Sequence, residues 1–310
     1  MAAVPTISVV IPCYNADKYI TATIRSVLLQ NWPSLEIIVV DDGSKDNSVR
    51  VVSDTFPFVR LVRQANQGVA AARNNGIAQC SGEWIALIDA DDIWLEGKLA
   101  KQWALLQANP GVRMSCTAWQ MWQCVDPEPA EAFVKQVQSQ AFETATGAGP
   151  SGWIYPDLLA ACCVWTSTVL AHRSVFEEVG QFDATLRIGE DYDFWLRASR
   201  VTQIVRVPQP LALYRRHAAS LTKAAPAKNW EVIVVQSALC RWGLTSPVGT
   251  SAKLETVSKH LARTWSDFAG ANLIAGQRQR ALIASIKSIR TSWQQMQGWK
   301  VLLKTALNYP

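Results

Sequence analysis

The sequence predicts an α/β fold, a mostly parallel central sheet flanked by helices with a helical C-terminal extension, on three observations. Strand and helix patterns alternate over roughly the first 115 residues with short connections, as parallel strands joined by helical crossovers require. The 310 residues are 49% apolar, enough for a sizeable core in one large domain or two modest ones. Beyond Pro226 no strand pattern survives, and helical periodicity resumes near Asn229 to Cys240, Lys253 to Phe268 and Gln277 to Leu303.

The elements follow in order. Ile7 to Ile11 reads as the first strand, ended by Pro12, and Ile20, Ile24, Val27 and Leu28 lie on one face of the first helix. Glu36 to Val40 is a β-branched second strand; after the polar loop Asp41 to Asn47 come a short helix and a third strand at Val59 to Val62. Asn66-Gln67-Gly68 turns into an alanine-rich helix about Val69 to Ala78, and Trp84 to Ile88 is the fourth strand. Asp92 is placed to cap the next helix, which carries Leu95, Leu99, Trp103 and Leu106. From Ala118 to about Pro150 the pattern fades, predicting a flexible insertion near 120–150. Order returns with a strand at Thr168 to Ala171, a helix about Ser174 to Val179, an N-capped helix from Gly189-Glu190-Asp191, and paired short strands at Gln203 to Val207 and Leu211 to Tyr214. The expected division is 1–117, 118–225 and 226–310.

Composition narrows the class. The formal charge is +5, a mild excess that suits anionic substrates and gives no nucleic-acid signature. Seven cysteines show no metal or disulfide spacing and predict reduced thiols. Met1 to Ile11 lacks a basic leader region, and no run of about 20 apolar residues occurs, so a cytoplasmic protein is expected.

The most informative segment is Asp89-Ala90-Asp91-Asp92, three carboxylates directly after the apolar run Trp84 to Ile88. Like charges this close repel, and a divalent cation carrying a phosphate resolves the conflict. Ligands of open parallel sheets bind beyond the carboxyl ends of the strands. Pro12 to Asn15, Asp41 to Asp46, Asn66 to Arg73 and Asp89 to Asp92 all fall at such ends, so four polar segments should converge on one crevice.

These segments, with Gly180-Gln181-Phe182-Asp183, Gly189-Glu190-Asp191-Tyr192-Asp193 and Tyr214-Arg215-Arg216-His217, resemble the family 2 inverting nucleotide-sugar glycosyltransferases of the Rossmann-like GT-A fold, over roughly residues 6 to 222. The resemblance implies a hexosyltransferase acting by single displacement from a UDP-sugar to a saccharide or lipid-linked acceptor, in cell-surface polysaccharide or glycan synthesis. It implies that Asp89, Ala90 and Asp91 form the Asp-x-Asp element, that Asp91 with Asp89 and His217 serves Mn²⁺ or Mg²⁺, and that Asp41 and Asp42 contact nucleobase and ribose. Pro12, Tyr14 and Asn15 line the nucleotide side, and Arg73 pairs with the diphosphate or holds an aspartate. Asp191 is the implied general base, with Glu190 and Trp165 on the acceptor side; Asp193, two residues on, should point elsewhere. Trp119, Trp122 and Trp153 fall in the same acceptor region. The basic, tryptophan-bearing C-terminal helices suit self-association or peripheral contact with the inner face of the plasma membrane. Two alternatives stand beside this reading: a catalytically weak sugar- or nucleotide-binding scaffold of the same fold, and a Mg-dependent phosphatase, which the Ile at position 93 and the unexplained Glu-Asp element disfavour.

Overall fold

A computed structural model describes residues 4–123, 129, 132–137, 149–216 and 225–306. Most of the expected insertion and all of His217 lie outside the described residues. The chain divides into two compact units, one of residues 1–154 and 163–217, the other of residues 155–162 and 218–310.

The first unit holds an eight-stranded mixed sheet: β1 (Ile7–Cys13), β2 (Leu35–Asp41), β3 (Arg60–Arg63), β4 (Trp84–Leu87), β5 (Ile93–Trp94), β6 (Met114–Gln123), β7 (Leu170–His172) and β8 (Ile204–Arg216), in the order β3-β2-β1-β4-β7-β6-β8-β5. β3, β2, β1 and β4 run parallel, as do β6 and β8, whereas β7 is antiparallel to both neighbours and β5 to β8. Helices α1 (Ile20–Leu28), α2 (Ser48–Thr55), α3 (Val69–Gln79) and α4 (Lys98–Gln107) supply the crossovers. Every residue of β1 is buried, which is why its sequence is apolar apart from Ser8, whose hydroxyl donates to Glu36. Gly76 brings α3 onto the sheet: a Cβ there would lie 2.4 Å from Val10 Cγ1.

Several expectations change. Pro12 does not end β1; the strand continues through it to Cys13, paired to β2. Pairing with β4 stops at Val10, whose carbonyl accepts from Ile88 N, while the Cys13 carbonyl faces β2 and accepts from Asp42 N. By alternation Pro12 turns its missing N–H to the side where β4 has already diverged, so no ladder bond is lost. The two short strands expected around 203–214 are one strand, β8, and its prolines sit in a register jump where Thr117 pairs with Val207 and Ala118 with Pro210. Asp92 caps no helix, because β5 intervenes and α4 starts only after Gly97.

The first unit also contains a 3₁₀ turn at Thr166–Thr168, α6 (Arg173–Val179) and α7 (Glu190–Ala198), α5 (Tyr155–Ala160) belonging to the second unit. Around α5 the second unit gathers α8 (Trp230–Trp242), α9 (Leu254–Ile274), α10 (Arg278–Thr291) and α11 (Met296–Ala306). Tyr155 Oη donates to the carbonyls of Ala238 (3.2 Å) and Gly243 (2.8 Å). The single helix expected over 277–303 is two, broken between Thr291 and Met296. No described helix is long and apolar enough to cross a membrane.

Candidate active site

The site begins with three loops laced together at the carboxyl ends of β1, β2 and β3. Asn15, in the left-handed conformation (φ 51°), donates its amide to Ser44 Oγ (3.0 Å) and accepts from Lys45 N at its Oδ1 (2.7 Å). Ala16 N donates to Ser48 Oγ and Asp17 N to Asp46 Oδ2. Tyr14 stands half-exposed at the rim, whereas Asp41 and Asp42 are buried. Asp42 receives Gln64 Nε2 and Gln67 N at Oδ1 and Gly68 N at Oδ2, each at 2.8 Å. It therefore anchors the turn and the N-terminus of α3, where a carboxylate offsets the positive end of the helix dipole. Asp41 accepts only a longer contact from Ser44 N (3.3 Å) among these side-chain bonds. Burial pushes the neighbouring Cys13 thiol up to about 12, with Asp41 and Asp46 adding to it, so this cysteine is no nucleophile.

Arg73 is the hub. It is buried on α3, and its Nη2 donates to Asp89 Oδ1 and its Nη1 to Glu190 Oε1, both at 2.7 Å. One guanidinium thus joins the turn after β4 to the first turn of α7, whose Glu190 lies 117 residues from Arg73 along the chain. Burial works against the Arg73 charge, but Asp89, Glu190 and Asp191 outweigh it and raise its pKa further. Burial likewise raises the Asp89 and Glu190 carboxyls, with Arg73 opposing and the neighbouring aspartates adding. Next to Arg73, Asn74 Nδ2 donates to the Phe182 carbonyl and its Oδ1 accepts from Phe182 N, both at 2.8 Å. Phe182 in turn stacks on Phe194 of α7, with ring centroids 4.3 Å apart.

The Asp89–Asp92 segment is divided among three tasks. Asp89 goes to Arg73, and its amide donates to Ser167 Oγ. Asp91 is partly exposed, and its backbone carbonyl accepts from Arg215 Nε at 2.7 Å. Asp92 is turned inward, with Oδ2 accepting from Ser167 Oγ and Trp165 Nε1 and Oδ1 from Arg215 N. Burial, then the charges of Asp91 and Asp89, push its pKa well above the usual carboxylate range. Ala90 is buried, and its carbonyl accepts from Thr23 Oγ1.

On α7, Asp191 accepts from Thr166 Oγ1 at Oδ2 (3.0 Å) and from Tyr192 N at Oδ1 (2.8 Å). Asp193 pairs with Arg197 Nε at 2.8 Å, away from the cluster as expected. Trp165, Trp119 and Tyr214 form a partly exposed aromatic group, with Trp165 4.3 Å from Tyr214 and 5.3 Å from Trp119. Trp122 is not part of it: it is buried, and the Arg215 guanidinium lies 4.1 Å over its ring.

Arg215, Asn74, Thr166 and Ser167 hold these carboxylates and loops in place, and no motif in the sequence assigns them that role. The hydroxyl run Thr166-Ser167-Thr168 directly after Trp165 was the available signal. Among the described residues no three or more His, Cys, Asp or Glu side chains converge on a metal cluster. A hard divalent cation shared with a diphosphate takes only one or two protein carboxylates, and the oxygens of Asp89 and Asp91 fit that demand. A separate groove lined by Trp32, Pro33, Leu35, Ile37, Phe58 and Arg60 lies at the starts of β2 and β3 and carries none of these residues.

Strand-end carboxylates of an open mixed sheet meet an acidic helix start across one arginine, and the fold around them is similar to that of GT-A-type glycosyltransferases. The profile of glycosyl transferase family 2 matches residues 8–124, so this part of the chain is similar to that family. An uncharacterized glycosyltransferase of Rickettsia prowazekii is 29% identical over 224 residues, 71% of this chain and 67% of its own. YibD of Escherichia coli, also an uncharacterized glycosyltransferase, is 45% identical over 89 residues, about a quarter (26%) of its length. Among solved structures, S. aureus TarS 1–349 in complex with UDP has a TM-score of 0.64 at 16% identity, covering 98% of this chain and 91% of that one. The mannosyltransferase PcManGT of Pyrobaculum calidifontis, in complex with GDP-Man and Mn²⁺, has a TM-score of 0.57 at 16% identity, covering 100% and 89%. At these identities the structural likeness speaks for the fold.

Proposed function

We propose that the protein transfers a hexosyl group from a UDP-sugar to a saccharide or lipid-linked acceptor by a metal-dependent, inverting single displacement. The observation that carries this reading is the Arg73 bridge between Asp89 and Glu190, which ties Asp89 to the helix turn that bears Asp191. A base must lie within hydrogen-bond reach of the attacking hydroxyl, on the face opposite the leaving diphosphate. Asp191 is the base in this reading; Thr166 Oγ1 and Tyr192 N hold its carboxylate in place. Glu190 is committed to Arg73 and keeps the acceptor side in register.

Asp41 accepts from a base N–H of the nucleotide, with Pro12, Tyr14 and Asn15 around the ring and Asp42 holding the loop. Asp89 and Asp91, joined by His217, would hold Mn²⁺ or Mg²⁺; when bound, the cation offsets the charge that grows on the departing diphosphate. The Trp165, Trp119 and Tyr214 rings offer the acceptor flat apolar faces. Supporting a role in surface polysaccharide is the 29% identity over 197 residues to TuaG of Bacillus subtilis, named as a candidate teichuronic acid biosynthesis glycosyltransferase. TarS has also been seen in complex with UDP-GlcNAc. The free thiols of Cys13, Cys80, Cys116 and Cys240 fit a reducing cytoplasm.

The test is calorimetric titration of UDP and GDP with and without Mn²⁺, followed by hydrolysis and transfer assays over a panel of nucleotide sugars. Metal-dependent UDP binding is expected, and it should be lost in Asp91→Ala. Binding that is indifferent to both the metal and Asp91 overturns the reading.

A further inference from the structure

The second unit inverts the usual pattern of a surface helix. On α10 the inward residues are small: Ala281, Ala284, Ser285 and Ser288 are buried, and Ser288 Oγ donates to the Ala262 carbonyl of α9 at 2.7 Å. α11 closes on the same place, since a Cβ at Gly298 would meet Ser288 Oγ at 2.8 Å. The large apolar side chains point the other way. Ile283 and Ile286 are exposed on α10; Trp293 (73%), Met296 (65%), Trp299 (41%) and Leu303 (56%) are exposed along the turn and α11. Met296, Trp299 and Leu303 recur at helical spacing and form one outward stripe, flanked by exposed Lys300 and Lys304.

Charge tells what covers this face. Between residues 268 and 306 the chain has six basic residues, Arg278, Arg280, Lys287, Arg290, Lys300 and Lys304, and no acidic one. A second copy meeting the same face would set basic residues against basic residues, because a two-fold contact pairs a patch with itself. An anionic bilayer supplies the missing countercharge and an interface for tryptophan and aliphatic side chains, and basic amphipathic helices with Trp and Leu on the apolar side bind such surfaces. We propose that the outward faces of α10 and α11 are a docking surface for an anionic lipid bilayer. This surface rests on no assignment in the first unit, and its failure leaves the catalytic reading standing.

The test is cosedimentation of the full-length protein with vesicles of phosphatidylglycerol mixed with phosphatidylcholine, against phosphatidylcholine alone, across a salt series. The wild type should pellet with the mixed vesicles, poorly with phosphatidylcholine, and less as salt rises. The double variant Lys300→Glu/Lys304→Glu should lose about tenfold or more in partition to mixed vesicles, each reversed charge weakening attraction to the anionic surface. Trp293→Ser with Met296→Ser should weaken binding in salt conditions where the charge variant no longer differs from wild type. All four side chains are exposed, and unchanged far-UV circular dichroism and melting confirm that each variant folds; the serine pair decides alone if the glutamate pair does not fold. Equal binding to both vesicle types, or partition unchanged in the variants, overturns the proposal. So does a wild-type dimer in equilibrium sedimentation that binds no vesicles and dissociates in Leu303→Glu, which would assign the face to a second copy.

Discussion

The two acidic segments, Asp89 to Asp92 and Glu190 to Asp193, are similar in charge and sit at opposite sides of Arg73, yet each divides its carboxylates among the same three roles. One carboxylate of each goes to Arg73: Asp89 on one side, Glu190 on the other. One of each is consumed by local structure: Asp92 by Ser167, Trp165 and the Arg215 amide, Asp193 by Arg197. The third of each, Asp91 and Asp191, is partly exposed, as Asp89 and Asp193 also are. The difference lies in burial. Asp92 is buried and its pKa is driven well above the usual range, whereas Asp193 makes a helical i,i+4 pair near the surface. A run of acidic residues is therefore no list of equivalent ligands, and neighbouring carboxylates differ by what the fold gives each to bind.

Substitutions separate the roles, and the largest effect is expected at the partly exposed acid of α7. Asp191→Asn should lower the transfer rate constant by about 10² to 10⁴ while nucleotide affinity holds; a transfer rate within a few fold of wild type would remove it as the base. Arg73→Met attacks both segments together, leaving buried Glu190 and partly buried Asp89 without their cation. We expect a loss of about 3–5 kcal/mol in urea unfolding, and a loss below about 1 kcal/mol would show that the two segments do not depend on their bridge. Asp92→Ala leaves the Arg215 amide and Trp165 Nε1 without an acceptor, at a cost of about 1–3 kcal/mol. Equal stability of Asp92→Ala and Asp91→Ala in the same denaturation assay would erase the distinction between inward and partly exposed carboxylates. The smallest change is Asp193→Asn, about 0.3–0.5 kcal/mol for a lost i,i+4 pair, with transfer activity kept; a large fall in activity would give α7 a second working acid.

Much of the fold was legible because it rests on local rules. Apolar runs mark fully buried parallel strands, periodicity marks the helices, and Gly68 and Gly189 mark the starts of α3 and α7. What was misread depended on partners distant in sequence. Pro12 ends a strand by any local rule, and only the divergence of β4 lets it remain in β1. Pro208 and Pro210 divide 203–214 in two by the same rule, and only the register jump against β6 joins the halves. Asp92 reads as a helix cap because β5, two residues long, is too short to show a pattern and exists only by pairing with β8.

By itself the sequence determined the alternating strands and helices between Ile7 and Ile88 and the strand-end placement of Asp41, Asp89 and Asp91, since hydrophobic period and turn chemistry are written in neighbouring residues. The tertiary structure decided which of those carboxylates remain partly exposed. A carboxylate's state depends on burial and on what lies within hydrogen-bond distance, and Arg73, Ser167, Thr166 and Arg215 reach their partners only once the chain has folded. So the cluster that looked like three matching aspartates became one held by an arginine, one partly exposed and one sealed inside.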